Sequence, residues 1–372
     1  MAKKETKLQK EQKKAADAVK KTNETIQLLG EATSKIHNEL NDLQATFDLI
    51  RNIPSDKHLQ LEELKEVRLN WEHQVEKIEA DYRNATAKSA GAGAAGASVG
   101  VAVAALGPTA AMGVATTFGV ASTGTAISTL SGAAATNAAL AWLGGGALTA
   151  GGGGMAAGNA LLTLAGPVGW AIAGVALLGS GILILKTKSY KERLENIFTL
   201  ISERDVKSYK LAIVELNERI NRISDEIMML HEAVTKVKTF GIDYNQMSEN
   251  QQYMLGSYVN LMHSSTRLLI NPILGLQPKY SKDDFDSYIF AIKEVLERNE
   301  TISIKDIIIS LSNLLYKITL NDKDKKILWK TLKNNKEFLS AMKISKKNFE
   351  LVFMDKVSEV LEYKYKSTKA DL

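Results

Sequence analysis

The chain has no cysteine, which rules out disulfides and thiol chemistry and fits either a reducing cytosol or a simple secreted protein. Its five histidines, His37, His58, His73, His231 and His263, are scattered over helical patterns with no ligand-like pair at short spacing. Of these, His73 and His231 read as ordinary polar or boundary residues. There is no serine-nucleophile motif and no G-x-x-x-x-G-K-[ST] phosphate loop. No catalytic residue, cofactor site or metal site is therefore expected, and no enzymatic activity. A strong excess of one charge is also lacking. Residues 1–88 carry 16 basic and 16 acidic side chains, so a nucleic-acid partner is not expected. The first 21 residues are locally basic, with eight lysines against three acids; they read as a solvated, frayed helix start rather than an anionic-surface anchor.

The largest absence is local. From Ser89 to Leu185 the chain runs for 97 residues without one Asp, Glu, Lys, Arg or His, and 22 of its 26 glycines lie in that run. Even a buried helix usually shows one polar face to water. A charge-free block this long reads as a segment that enters a membrane, or that is hidden until it does. Gly107-Pro108 and Gly166-Pro167 are its natural breakpoints, with Gly144-Gly145-Gly146 as a further hinge. Its most apolar piece, Val168–Leu185, contains Val168, Trp170, Ile172, Leu177, Leu178, Ile182, Leu183, Ile184 and Leu185, and is 18 residues long. That length suits a transmembrane helix. Trp142 and Trp170 suit interfaces, and Lys186, Lys188, Lys191 and Arg193 follow as a basic anchor.

The rest of the block is built of Ala, Gly, Ser and Thr, which gain little from lipid alone but allow close helix–helix packing. Gly144, Gly151 and Gly158 recur at seven-residue spacing, and Gly154 with Gly158 forms a G-x-x-x-G pair. Such helices need partners, either each other in a soluble fold or other copies in a membrane. A flexible linker is a poor reading, because Val168–Leu185 is too apolar to stay solvated.

On both sides the chain is charged and amphipathic. Leu29, Ile36, Leu40, Leu43, Phe47 and Ile50 mark one helical stripe, ended by Pro54; Leu64, Val67, Trp71, Val75, Ile78 and Tyr82 mark a second. The short connection makes the two antiparallel neighbours. A longer seam follows the block, through Tyr209, Ile213, Leu216, Ile220, Ile223, Ile227, Leu230, Val234 and Val237, with Gly241 as its stop. A further helix is expected near Ser248–Ile270. Beyond Pro278 come shorter segments, Phe285–Arg298, Ile304–Ile318 and Asn348–Tyr365, with Asn321–Asp324 read as a turn. The expected fold is all-α: an elongated antiparallel helical bundle or coiled coil with a long Gly/Ala-rich insertion of the helical-hairpin type. Its parts are residues 1–88, the insertion 89–185, the coiled-coil helices 186–278 and a small helical domain 279–372. If the flanking helices pair, the block crosses a bilayer an even number of times, two or four.

The run Ala134–Gly146 with Gly151–Gly158 resembles a glycine-rich, glycine-zipper-like block found in many uncharacterised bacterial proteins. The order of helices, apolar hairpin and long helices resembles the α-helical pore-forming toxins of the cytolysin A type. That resemblance implies a soluble bundle whose hydrophobic element is shielded until assembly. The block here is much longer, and the C-terminal region is an addition. The expectation is a pore-forming bacterial toxin or defence effector that releases its block and forms a homo-oligomer in a lipid bilayer. The alternative is a non-lytic, membrane-tethered coiled-coil scaffold that recruits a protein partner through residues 279–372. The first residues have no apolar region behind them, so a Sec-type signal peptide is not expected. Synthesis in the cytoplasm is expected, with action at a membrane through a soluble-to-membrane switch or after export by a dedicated system.

Overall fold

The computed structural model describes residues 6–90 and 188–370, apart from 272, 274, 276–278, 294–297, 299–300, 302–303, 335–337 and 340–343. The described residues are all-helical, with no strand among them. Helix α1 is Lys7–Asp48, α2 Ser55–Ala90, α3 Lys188–Val237 and α4 Glu249–Ile270. Shorter helices follow: α5 Lys282–Ala291, α6 Lys305–Leu315, α7 Asp322–Lys333 and α8 Val352–Ala370. These residues fall into two compact units. One holds residues 6–19, 188–208 and 279–370; the other holds 20–90 and 209–275.

In the second unit the apolar stripe of α1 becomes core, and that of α2 does so at Leu64 and Trp71, its positions Val75, Ile78 and Tyr82 lying outside the described side chains. Leu29, Ile36, Leu40, Leu43, Phe47 and Ile50 are all buried, as are Leu61, Leu64 and Trp71 of α2. Contacts pair later residues of α2 with earlier ones of α1: Lys65 with Asp48, Arg68 with Gln44, and Glu72 with His37. Along α3, Tyr209, Leu216, Ile223, Leu230 and Val237 are buried at seven-residue spacing, whereas Ile213, Ile220 and Ile227 are only half-buried. Ala212 and Ala233 are buried as well, so the core face of α3 is turned slightly from the apolar seam. The helix ends where expected. Gly241 takes φ +82°, the left-handed conformation open to glycine at little cost. Ser248 then starts α4 with a capping box closed by Gln251.

Arg219 ties the far end of α4 back to α3 by donating to the carbonyls of Leu268 and Asn271 at 2.8 and 2.9 Å. Just beyond, the Gly275 amide donates to the Glu215 carboxylate at 2.8 Å. A β-carbon at Gly275 would lie 2.7 Å from the backbone of Ala212. Gly275→Ala must therefore push this segment off α3. A loss of about 1–3 kcal/mol is expected, measurable by urea denaturation.

The first unit packs α5, α6 and α8 on one another, with residues from α3, α7 and the start of α1 in the same core. Two expectations need correction here. The basic N-terminus is not merely a frayed start: Leu8 is buried in this core, and Lys7 pairs with Glu203 at 2.9 Å. Asn321–Asp324 is not a turn between helices but the beginning of α7. The Asn321 side chain caps the Asp324 amide at 3.0 Å, and Asp322 and Asp324 sit in the first turn, where the helix dipole favours negative charge.

Candidate functional site

Of the residues singled out from sequence, Val168, Trp170, Ile172, Leu177, Leu178, Ile182, Leu183, Ile184, Leu185, Gly144, Gly151, Gly154, Gly158, Trp142 and Lys186 lie outside the described residues. The rest of the basic group opens α3. Lys188 and Lys191 are solvent-facing, with loose pairs to Glu192 at 3.9 Å and Glu195 at 3.8 Å. Arg193 is engaged differently, with its Nη1 2.5 Å from Asp324 on α7. One turn earlier the Tyr190 hydroxyl donates to the Ile327 carbonyl at 3.2 Å. Below these polar ties, Leu194, Ile197, Phe198 and Ile201 are buried in the first unit. The chain leaving the apolar block thus enters a helix held by α7 through an ion pair, a hydrogen bond and an apolar face.

The chain entering the block comes from α2, and α2 is held to α1 in a less ordinary way. Arg68 is 2% exposed and is one of the largest fully buried side chains. Its Nη2 donates to the Gln44 Oε1 at 2.7 Å, while Nε and Nη1 have no hydrogen-bond partner among the described residues. Burial pulls the Arg68 guanidinium down to about 10, an effect only partly countered by Asp48. One turn along α2, the ring of Trp71 lies 5.2 Å from that of His37, which is buried on α1. Burial first, then the positive charge of Arg68, pushes His37 down to about 4, so it is neutral at pH 7. Arg68, His37 and Gln44 line an open cleft of about 250 Å³ together with Asn41, Asp48, Lys65 and Glu72.

The sequence stripe had placed Val67 at this position of the seam; Val67 is half-buried, and Arg68 takes the core place. The signal was present. Leu61, Leu64, Arg68 and Trp71 are spaced three, four and three apart, the rhythm of a packed helix face.

Among the described residues no helix is long and apolar enough to cross a membrane. No protein-family model, curated protein or solved structure matches the chain.

Proposed function

We propose that this is a membrane-inserting, pore-forming protein, a bacterial toxin or defence effector, in which Ser89–Leu185 is the element that enters the bilayer. The observation that carries the reading is the run of 97 residues without a charged side chain. Charge-rich amphipathic helices flank it, with their own buried cores. In this reading the α1–α4 seams form an antiparallel coiled-coil bundle. The block leaves it as one or two helical hairpins and oligomerises. Gly144, Gly151, Gly154 and Gly158 set the helix packing, Val168–Leu185 anchors in lipid, and Trp142, Trp170, Lys186, Lys188 and Lys191 lie at the interface. Residues 279–372 form a small helical domain that can receive a partner or a trigger. Arg193, bound to Asp324, would have to break that pair before it served a headgroup.

The test is dye release from anionic and neutral liposomes by detergent-free, full-length protein. Release by the intact chain and none after deletion of Ser89–Leu185 is the expected result. The double variant Gly151→Leu/Gly158→Leu should lose release while the flanking helices keep their helical circular dichroism. Full release by that variant would remove the glycine-packing role. Constant residence on the vesicles without leakage would favour the tethered scaffold instead.

A further inference from the structure

Burying a guanidinium away from water is costly unless an acceptor or counter-charge meets it. Among the described residues Arg68 meets only the neutral amide of Gln44, and its Nε and Nη1 are sealed from solvent without partners there. The nearby carboxylates do not supply what is missing. Asp48 is occupied by the Gln44 amide at 2.8 Å and by Lys65 at 3.5 Å. Glu72 lies 4.0 Å from the His37 ring, and no hydrogen bond joins it to Arg68. Yet Arg68 lies on the wall of an open cleft of about 250 Å³, room for several molecules the size of water, about 30 Å³ each in the liquid.

We propose that this cleft between α1 and α2 binds a small oxyanion, a carboxylate or a phosphate group, and that Arg68, whose Nε and Nη1 are closed to solvent in this conformation, turns toward the cleft as its principal donor. Both chemistries match a guanidinium, which favours planar or tetrahedral oxyanions over simple ions. The other donors are in place. Asn41 Nδ2 makes a long 3.5 Å contact with the His37 ring, so the Asn41 amide can turn toward a ligand. Lys65 stands at the rim, 40% exposed, and adds positive charge. Asp48 and Glu72 on the same lining would accept from a hydroxyl or ammonium carried beside the oxyanion. Because Arg68 belongs to α2 and His37 and Asn41 to α1, a bound anion would fasten α2 to α1 and stabilise the unit by mass action. This assignment stands whether or not the apolar block forms a pore.

The experiment is calorimetric titration of full-length protein in chloride buffer at pH 7.5 and constant ionic strength, separately with inorganic phosphate and with acetate. As bare fragments of a ligand they should bind with dissociation constants on the order of millimolar. Saturable heat from at least one is expected. Phosphate alone would assign a phosphoryl ligand; acetate, with or without phosphate, would assign a carboxylate-sized site. Arg68→Met should weaken binding at least tenfold, and Lys65→Ala, at the rim where folding is not at stake, severalfold. If Arg68→Met does not fold, Lys65→Ala decides. No saturable heat from either anion up to about 50 mM, a concentration well above a millimolar constant, would overturn the proposal. So would wild-type affinity in the variants.

Discussion

Arg204→Met is expected to destabilise the first unit by about 3–5 kcal/mol, the cost of leaving a buried charge without its partner. Arg204 holds three acceptors at once. Its Nε and Nη2 grip one oxygen of Asp205 at 2.8 and 2.7 Å, and its Nη1 donates to the carbonyls of Leu314 at 2.9 Å and Tyr316 at 2.7 Å. The last two bonds close the end of α6, whose final carbonyls have no partner within the helix. Methionine fills the volume but removes every donor. Asp205 is buried, its second oxygen has no hydrogen-bond partner among the described residues, and burial raises its pKa even with Arg204 beside it. The sign of its own contribution follows. The folded state holds the Asp205 proton more readily than the unfolded chain does, so the ionised carboxylate costs stability at neutral pH. Asp205→Asn should therefore stay within about 1 kcal/mol of wild type, and Arg204→Met/Asp205→Asn should recover part of the single-variant loss. Urea denaturation at pH 7 of the four proteins measures this. A loss below about 1 kcal/mol in Arg204→Met would place the pair among those of no net value.

Both buried charges occupy seam positions, which explains what the sequence conceals. Leu194, Phe198, Ile201, Asp205, Tyr209, Ala212 and Leu216 are buried at steps of four, three, four, four, three and four. Asp205 thus sits inside the seam, as Arg68 does on α2. A charged residue on an amphipathic helix is ordinarily assigned to its wet face, and the apolar neighbours one residue away hide the exception. The long stripes were legible because each is repeated over several turns: the six α1 positions from Leu29 to Ile50 are all buried. Helix ends were legible where glycine or a capping side chain has a mechanism, the stop near Gly241 and the start at Ser248. Helix α7 was not. Four polar residues open it, and Asn321 and the two aspartates that make a good helix start also make a good turn. The burial of Leu8 and Ala15 was masked in the same way by lysines that outnumber them. Polar seam positions often fix the pairing of helices at some expense of stability. Arg68, His37 and Gln44 on α1 and α2 have that character.

His37 gives the second unit an acid-sensitive stability. Its ordinary value of 6.5 falls to about 4 in the folded protein, through burial and then the charge of Arg68. Between those values the unfolded chain binds a proton that the folded one refuses. The contribution is therefore complete above pH 6.5 and is lost progressively as pH falls to 4. The span amounts to about 3 kcal/mol at most. Glu72, at 4.0 Å, is the group placed to ease the incoming charge, and Arg68 is the one that opposes it. His37→Gln keeps a hydrogen-bonding side chain without the titration. The difference in unfolding free energy between wild type and His37→Gln should therefore change by about 3 kcal/mol between pH 7.5 and pH 4. Carboxylates that titrate over the same interval cancel in that difference. A difference independent of pH would show that His37 charges without cost. The consequence for activity follows from position. His37 packs tilted against Trp71 of α2, and α2 runs to Ala90, inside the first residues of the apolar block. If insertion requires α2 to leave α1, dye release by the wild-type chain should accelerate as pH falls from 6.5 to 4, and His37→Gln should lose most of that acceleration. An oxyanion held by Arg68 should slow release at every pH in the interval, because it binds only while α1 and α2 remain together.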